Sequence, residues 1–355
     1  MVLEHIFPED WLEHKGRYAF LLGVIYSVIG ILIASVLFPG DPALVAVAFT
    51  SLLLLPELYK IFSIEERQEA MEQKVSIKAL WRDDIDLIKV YVFLFLGILL
   101  VYSIGTILLP SFQTNMLFRE QLEIRLGQGF AGSATAGIFS PALFIDLLNN
   151  NFLVLMACFI LALLTGDGAI FLITWNASVW GTIFGFTAKN AALFSGTIPA
   201  FLFMAMMVIV FFHLIVEGIS YFLAAISGSV ISKDVLLERF ASRRFLEVFG
   251  FNMYLLLFAL LFLVVGGLIE TVILTVAIPI PAFALFVGSI FGFLLLVRFL
   301  LPKTHRTKAA LNPLFLYFFS FLISLAIMAI LGFPTFGFGD ITYQEIIRMS
   351  FLAMA

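Results

Sequence analysis

The chain alternates between long apolar runs and short polar interruptions, and the runs carry no internal period-two pattern. The first run covers 18–38 and is closed by Pro39-Gly40. A short one follows at 42–55, ending at Pro56, which reads as a thin crossing or a re-entrant hairpin. Further runs lie at 85–109, 151–164 and 169–187, the last two split by Gly166-Asp167-Gly168. The stretch 197–231 is apolar for 35 residues, about 52 Å as one helix at 1.5 Å per residue, too long for an upright crossing. It must tilt, protrude or break, with His213 and Gly218 as the candidate break points. Runs at 248–269, 280–301 and 311–332 complete a set of nine.

Runs of about 20 apolar residues match the hydrocarbon thickness crossed by a helix. Membrane barrels instead alternate lipid-facing and lumen-facing residues along each strand. The pattern therefore predicts an all-α, polytopic transmembrane helical bundle of about nine segments, some of them short, broken or re-entrant, forming a single integral membrane domain over 1–355. Composition agrees: 62% of residues are hydrophobic and 12% charged, with mean hydropathy +1.11. That leaves too little polar surface to coat a water-soluble body. No cleavable signal peptide is expected, because the mixed-charge N-terminus leads into a run long enough to span, with no small-residue cleavage site after it.

Charge then sets the orientation. With the N-terminus inside, Lys15, Arg17, Lys60, Arg67, Lys74, Lys78, Arg82, Lys89, Lys233, Arg239, Arg243, Arg244, Arg298, Lys303, Arg306 and Lys308 are cytoplasmic. Only Arg119, Arg125, Lys189 and Arg348 fall outside. This asymmetry predicts a multi-pass protein of the cell membrane with a cytoplasmic N-terminus and an external C-terminus, and hence an odd number of crossings.

Three parts lie outside the spans. Residues 57–84 are charged and predict a cytoplasmic helical arm. Residues 111–150 form the longest external segment, amphipathic at first and then rich in small residues at 131–139, which suits a loop or cap. Residues 340–355 form an amphipathic C-terminal tail, expected on the outer membrane surface. No internal repeat is evident, so the inverted-repeat logic of many transporters finds no support.

Ionisable and polar residues within spans are costly and mark candidate sites. His213 and Glu217 stand four apart and share a helix face, which Ser220, Ala224 and Gly228 continue with small side chains. Such a pair suits proton exchange near neutral pH, and equally a structural staple. Glu270 ends the run at 248–269, Asp167 sits in the glycine break, and Asn176 lies inside the fifth run. Together His213, Glu217, Asn176, Glu270 and Asp167 make the candidate intramembrane polar site. Gly181 and Gly185, spaced as in small-xxx-small motifs, are candidate helix-packing positions.

Catalytic and cofactor signatures are missing. One His and one Glu on a helix fall short of the three protein ligands of a zinc site, and His5, His14 and His305 fall in cytoplasmic loops. No HExxH or GxSxG occurs, so neither catalytic residues, a metal nor a cofactor is expected. The single cysteine, Cys158, excludes an intrachain disulfide. Basic residues scattered along loops argue against nucleic acid. The partners left are the lipid bilayer, further copies of the chain and other membrane proteins.

The stretch NNNFLVLMACFILALLTGDGAIFLITWNASVWGTIFG, followed by FFHLIVEGISYFLAAISG and GGLIETVILTVAIP, resembles the stage II sporulation protein M family. That family shows an Asn run before a span, a glycine break, Asn with glycines beyond it, a His and Glu four apart, and a span ending in Glu before a proline. The order agrees over 149–279. The opening HKGRYAFLLGVIYSVIGILIASVLFPG, with LLLLPELYKIFSIEE, is similar to the archaeal branch. The chain departs from the family at Ala177 and Leu214, where glycine is common. The resemblance implies a polytopic membrane protein, and its namesake works with cell-wall hydrolases during engulfment in spore formers. Three functions stay open at this point: a conduit for an ion, proton or small solute; a scaffold that assembles partner proteins; and, least favoured, an intramembrane hydrolase.

Overall fold

In the computed structural model every long apolar run is helical. The structure describes residues 16–71, 77–127, 139–237, 242–276, 278–300, 313–331 and 341–352. In chain order the helices are α1 (Gly16–Leu37), α2 (Pro42–Met71), α3 (Ile77–Leu108), α4 (Ser111–Leu117), α5 (Arg119–Gly127), α6 (Pro141–Thr165), α7 (Ala169–Ser195), α8 (Pro199–Leu237), α9 (Arg243–Thr275), α10 (Ile280–Leu300), α11 (Pro313–Leu331) and α12 (Tyr343–Leu352). Among the described residues, eight helices are long and apolar enough to cross a membrane. The shorter apolar stretch Leu316–Met328, within the 19-residue α11, supplies the further run that the sequence counted. The chain is an all-α, multi-pass membrane protein, as the pattern requires.

Several boundaries differ from the sequence reading. The short run at 42–55 does not stop at Pro56. Helix α2 continues through that proline, which gives an apolar span of 19 residues, Pro42–Lys60, enough for a full crossing. Helix α8 runs unbroken for 39 residues over both His213 and Gly218, so neither is a break point. Helix α6 begins ten residues before the apolar run at 151–164, because Pro141 supplies a preorganised first turn. The external segment at 111–150 therefore contains α4, α5 and the start of α6. The small-residue stretch over 128–138, the arm residues 72–76, the N-terminal residues 1–15 with His5 and His14, and 301–312 with His305 lie outside the described residues.

The chain divides into two compact units. The first comprises Met1–Ala131, Pro141–Phe186 and Ile215–Leu268. Within it α1 packs on both α2 and α3. The α1–α3 crossing rests on reciprocal glycines. A side chain at Gly23 would stand 2.6 Å from the carbonyl oxygen of Leu94, and one at Gly97 would strike the carbonyl of Phe20. The α3–α7 crossing repeats the device. A side chain at Gly181 would strike the Leu99 carbonyl, and one at Gly185 would stand 2.6 Å from the Ser103 carbonyl. The closeness lets Ser103 donate across the seam to the Gly181 carbonyl at 3.0 Å while it also bonds Leu99 O in its own helix at 2.8 Å. Gly228 of α8 meets Phe159 and Ala162 of α6 in the same manner. Between the spans, Gln121 of α5 is wholly buried and donates to Ala43 O and Ser178 Oγ, both at 3.4 Å.

The second unit comprises Gly132–Ser140, Thr187–Leu214 and Ile269–Ala355, and it is fastened differently. Phe212 stacks on Phe321 with centroids 4.4 Å apart, and Phe283 meets Phe321 edge-on at 5.0 Å. The tail is drawn into this unit. Thr342 and Glu345 form a reciprocal capping box at the start of α12, with bonds of 2.9 and 3.2 Å. Gln344 donates to Ile273 O and Val276 O, both at 2.7 Å, and so satisfies the carbonyl end of α9. Ile346 is fully buried. At Ile346 the apolar face of α12 thus packs on protein.

Two expected outcomes follow. Gly181→Leu should lower the melting temperature of the purified protein by several degrees, since overpacking of this kind costs about 1–3 kcal/mol. An unchanged melting temperature would show that α7 does not need its close seat on α3. For topology, exposed Arg348 and exposed Arg243 are suitable cysteine positions, and native Cys158 is buried and silent. Arg348→Cys and Arg243→Cys should label from opposite faces of sealed cells if α9, α10 and α11 each cross the membrane. Labelling of both from one face would refute an odd number of crossings between these two positions.

Candidate functional site

Glu217 is the most consequential buried carboxyl of the first unit. It lies within the apolar span of α8 and is 3% exposed. One turn on, the Tyr221 hydroxyl donates to Glu217 Oε1 at 2.6 Å. Hydrogen bonds to a charged group contribute roughly 1.5–3 kcal/mol, comparable to the roughly 2.5–3.5 kcal/mol cost of a charge at mid-depth. Gly266 of α9 presents only a backbone here, so that even an added Cβ would sit 3.5 Å from Glu217 Cβ. Ser220 donates to the Glu217 carbonyl at 2.6 Å and therefore keeps its hydroxyl on its own helix.

Asp167 sits in the turn between α6 and α7. Gly166 ends α6 with φ +80°, a conformation that favours glycine, and its N–H closes on Ala162 O at 2.7 Å. Thr165 Oγ1 accepts from Gly168 N at 2.9 Å. This local wiring turns Asp167 inward. It is 7% exposed and accepts from Ser229 Oγ at 3.4 Å. Asn176 is half-buried and donates to Leu172 O at 2.8 Å, one turn back in α7. Gly181 and Gly185 occupy the seam with α3 described above.

The second unit holds His213 and Glu270, 2% and 3% exposed respectively. Both keep interaction partners despite their burial. Among the described residues no group of three or more His, Cys, Asp or Glu side chains is placed to hold a metal ion.

Sequence reasoning missed Glu57 of the first unit. It was assigned to a solvated arm, yet it is 3% exposed, lies 3.7 Å from Lys60 and is hydrogen-bonded by the Tyr26 phenol. The signal was present in LLLLPELYK, where the carboxyl follows the apolar run by one residue. Reading Pro56 as a terminator hid it. Asn252 was missed too. It is 2% exposed, and its carbonyl accepts from Ser227 Oγ at 2.7 Å, tying α8 to α9.

Outside the spans, Glu120 of α5 shows a titration consequence. Burial pushes its carboxyl above the ordinary value of 4.5; a backbone hydrogen bond opposes this, nearby Asp41 reinforces it, and Arg119 opposes it again. Arg119 also pairs with Glu123 at 3.4 Å. A carboxyl raised in the fold binds its proton more tightly there than in the unfolded chain. Its contribution to stability is full below the ordinary value and is lost as pH rises through the raised one. Thermal unfolding of the wild type should therefore weaken over that window, and Glu120→Gln should flatten the decline. Parallel profiles for the two proteins would contradict the assignment.

Comparison with family models, with curated proteins and with solved structures yields no match.

Proposed function

We propose that this integral membrane protein is a conduit for an ion, proton or small solute, of the stage II sporulation protein M type, in which Glu217 is a proton-exchanging group of the path. The observation that carries the reading is a carboxyl 3% exposed inside an apolar span, held at 2.6 Å by a phenol and flanked by the bare backbone of Gly266. A carboxyl joined to a hydroxyl can accept and release a proton without breaking the helix.

A scaffold for partner proteins is the second reading. It is favoured by the apolar residues that α4 and α5 expose between spans, with Phe112 79% accessible. A scaffold would carry no flux, so one assay separates the two.

Protein reconstituted in liposomes carrying an internal pH dye should dissipate an imposed pH gradient. Glu217→Gln keeps shape and the Tyr221 contact but cannot exchange a proton, and should slow dissipation at least about tenfold, the factor set by about 1.4 kcal/mol on the barrier. Tyr221→Phe should shift the pH dependence of the flux and leave the fold intact. Absence of wild-type flux, or flux indifferent to Glu217→Gln at every pH, would remove the conduit reading and leave the scaffold.

A further inference from the structure

The first unit carries a second polar feature, separate from Glu217. A cavity of about 540 Å³ is lined by Leu55, Pro56, Tyr59 and Lys60 of α2 and by Thr165 and Asp167 at the α6–α7 turn. Its depth in the membrane follows from the helices that frame it. The apolar span of α2 ends at Lys60, that of α6 at Thr165, and that of α8 at Lys233. Three spans thus end in residues around one cavity, which sets it at the level where hydrocarbon gives way to headgroups.

The charges around it balance. Lys60 lies 3.7 Å from Glu57, and Lys233 stands 5.8 Å from the Tyr59 ring centroid. Asp167 faces the cavity, held by Ser229 Oγ and by the glycine turn. The lining itself carries one ammonium group, Lys60, and one carboxylate, Asp167. A purely anionic ligand would meet the carboxylate, and a simple cation the ammonium group. A molecule with both charges meets a complement for each. Leu55, Pro56 and the Tyr59 ring add an apolar wall on the side of the span.

We propose that this cavity seats the headgroup of a zwitterionic phospholipid bearing a primary ammonium, with the ammonium on Asp167 and Thr165, the phosphate toward Lys60 and Lys233, and the first carbons of the acyl chains along Leu55, Pro56 and Tyr59. A primary ammonium has three N–H donors for Asp167 Oδ and Thr165 Oγ1. A trimethylated one has none and is bulkier, so the site discriminates phosphatidylethanolamine from phosphatidylcholine. Pockets between helices at the membrane surface hold lipid headgroups by charge, basic ones binding anionic headgroups; a pocket with both signs extends the same logic to a zwitterion. The same chemistry could arrive as a water-borne aminoalkyl phosphate, and the apolar wall favours the lipid.

The test uses full-length protein in detergent, incubated with equimolar phosphatidylethanolamine, phosphatidylcholine and phosphatidylglycerol, with retained lipid counted by native mass spectrometry. Wild type should retain phosphatidylethanolamine over the other two by about tenfold, the factor given by one charge-assisted hydrogen bond. Asp167→Asn keeps the Ser229 contact and should bring the ethanolamine-to-choline ratio near one. Lys60→Gln should lower retention of both phospholipids while preserving their ratio, and it decides the matter should Asp167→Asn fail to fold. Equal retention of all three lipids by the wild type, or preference for phosphatidylglycerol, would overturn the proposal. Full displacement by soluble phosphoethanolamine at matched concentration would assign the site to a water-borne ligand and overturn the lipid reading.

Discussion

Close approach of helix backbones at glycine is the constraint on which the first unit depends. In lipid, apolar side chains gain nothing by leaving one hydrocarbon surface for another, so helices associate through contact and hydrogen bonding. Helix α3 is gripped on two sides by this means: Gly23 and Gly97 seat α1, and Gly181 and Gly185 seat α7. Each crossing brings a carbonyl to within reach of a neighbour. Ser103 exploits that reach with its bond to Gly181 O, which a Cβ at the seam would block. Hydroxyls bonded back to their own helix, Thr106 to Tyr102 O in the α3–α7 seam and Thr50 to Ala46 O where α2 meets Gly30 of α1, fill such seams without leaving an unmet donor.

A seam that tight excludes bulky polar groups, so the carboxyls of the unit collect where it opens. Glu217 lies opposite Gly266, where the removal of one side chain makes room for another. Asp167 and Glu57 lie at the ends of spans, where Gly166 reverses the chain and Pro56 lets α2 pass into its charged continuation. The three environments differ in what answers the charge. A phenol answers Glu217, a serine hydroxyl answers Asp167, and a lysine with a tyrosine answers Glu57.

The second unit solves the packing problem with rings and caps. Phe212, Phe283 and Phe321 interlock through stacked and edge-on contacts, a geometry that adds to simple burial. The exposed carbonyls at the end of α9 are met by one side chain, Gln344, whose two bonds of 2.7 Å replace the water that a soluble helix would use. A short antiparallel bridge between Pro279 and Thr342, with Ile280 N bonded to Ile341 O at 2.9 Å, sets the tail in register.

The sequence by itself determined the fold class, the places of the apolar helices and which residues within them are expensive to bury. Hydrocarbon thickness and backbone hydrogen bonding act on each segment separately, and so they are legible one run at a time. His213, Glu217 and Glu270 stood out for the same reason, since a charge in an apolar run is a local anomaly. What a helix does at its neighbours was decided only in three dimensions. Continuation of α2 through Pro56 and of α8 through His213 and Gly218 depends on contacts that repay a strained or costly residue, and no local pattern records them. The role of Gly23 and Gly97, the burial of Glu57, the inward turn of Asp167 and the seat of Gln344 on α9 likewise belong to pairs of residues far apart in the chain. Their partners are chosen by tertiary packing, because in a uniformly apolar sequence many surfaces are chemically alike and only shape distinguishes them.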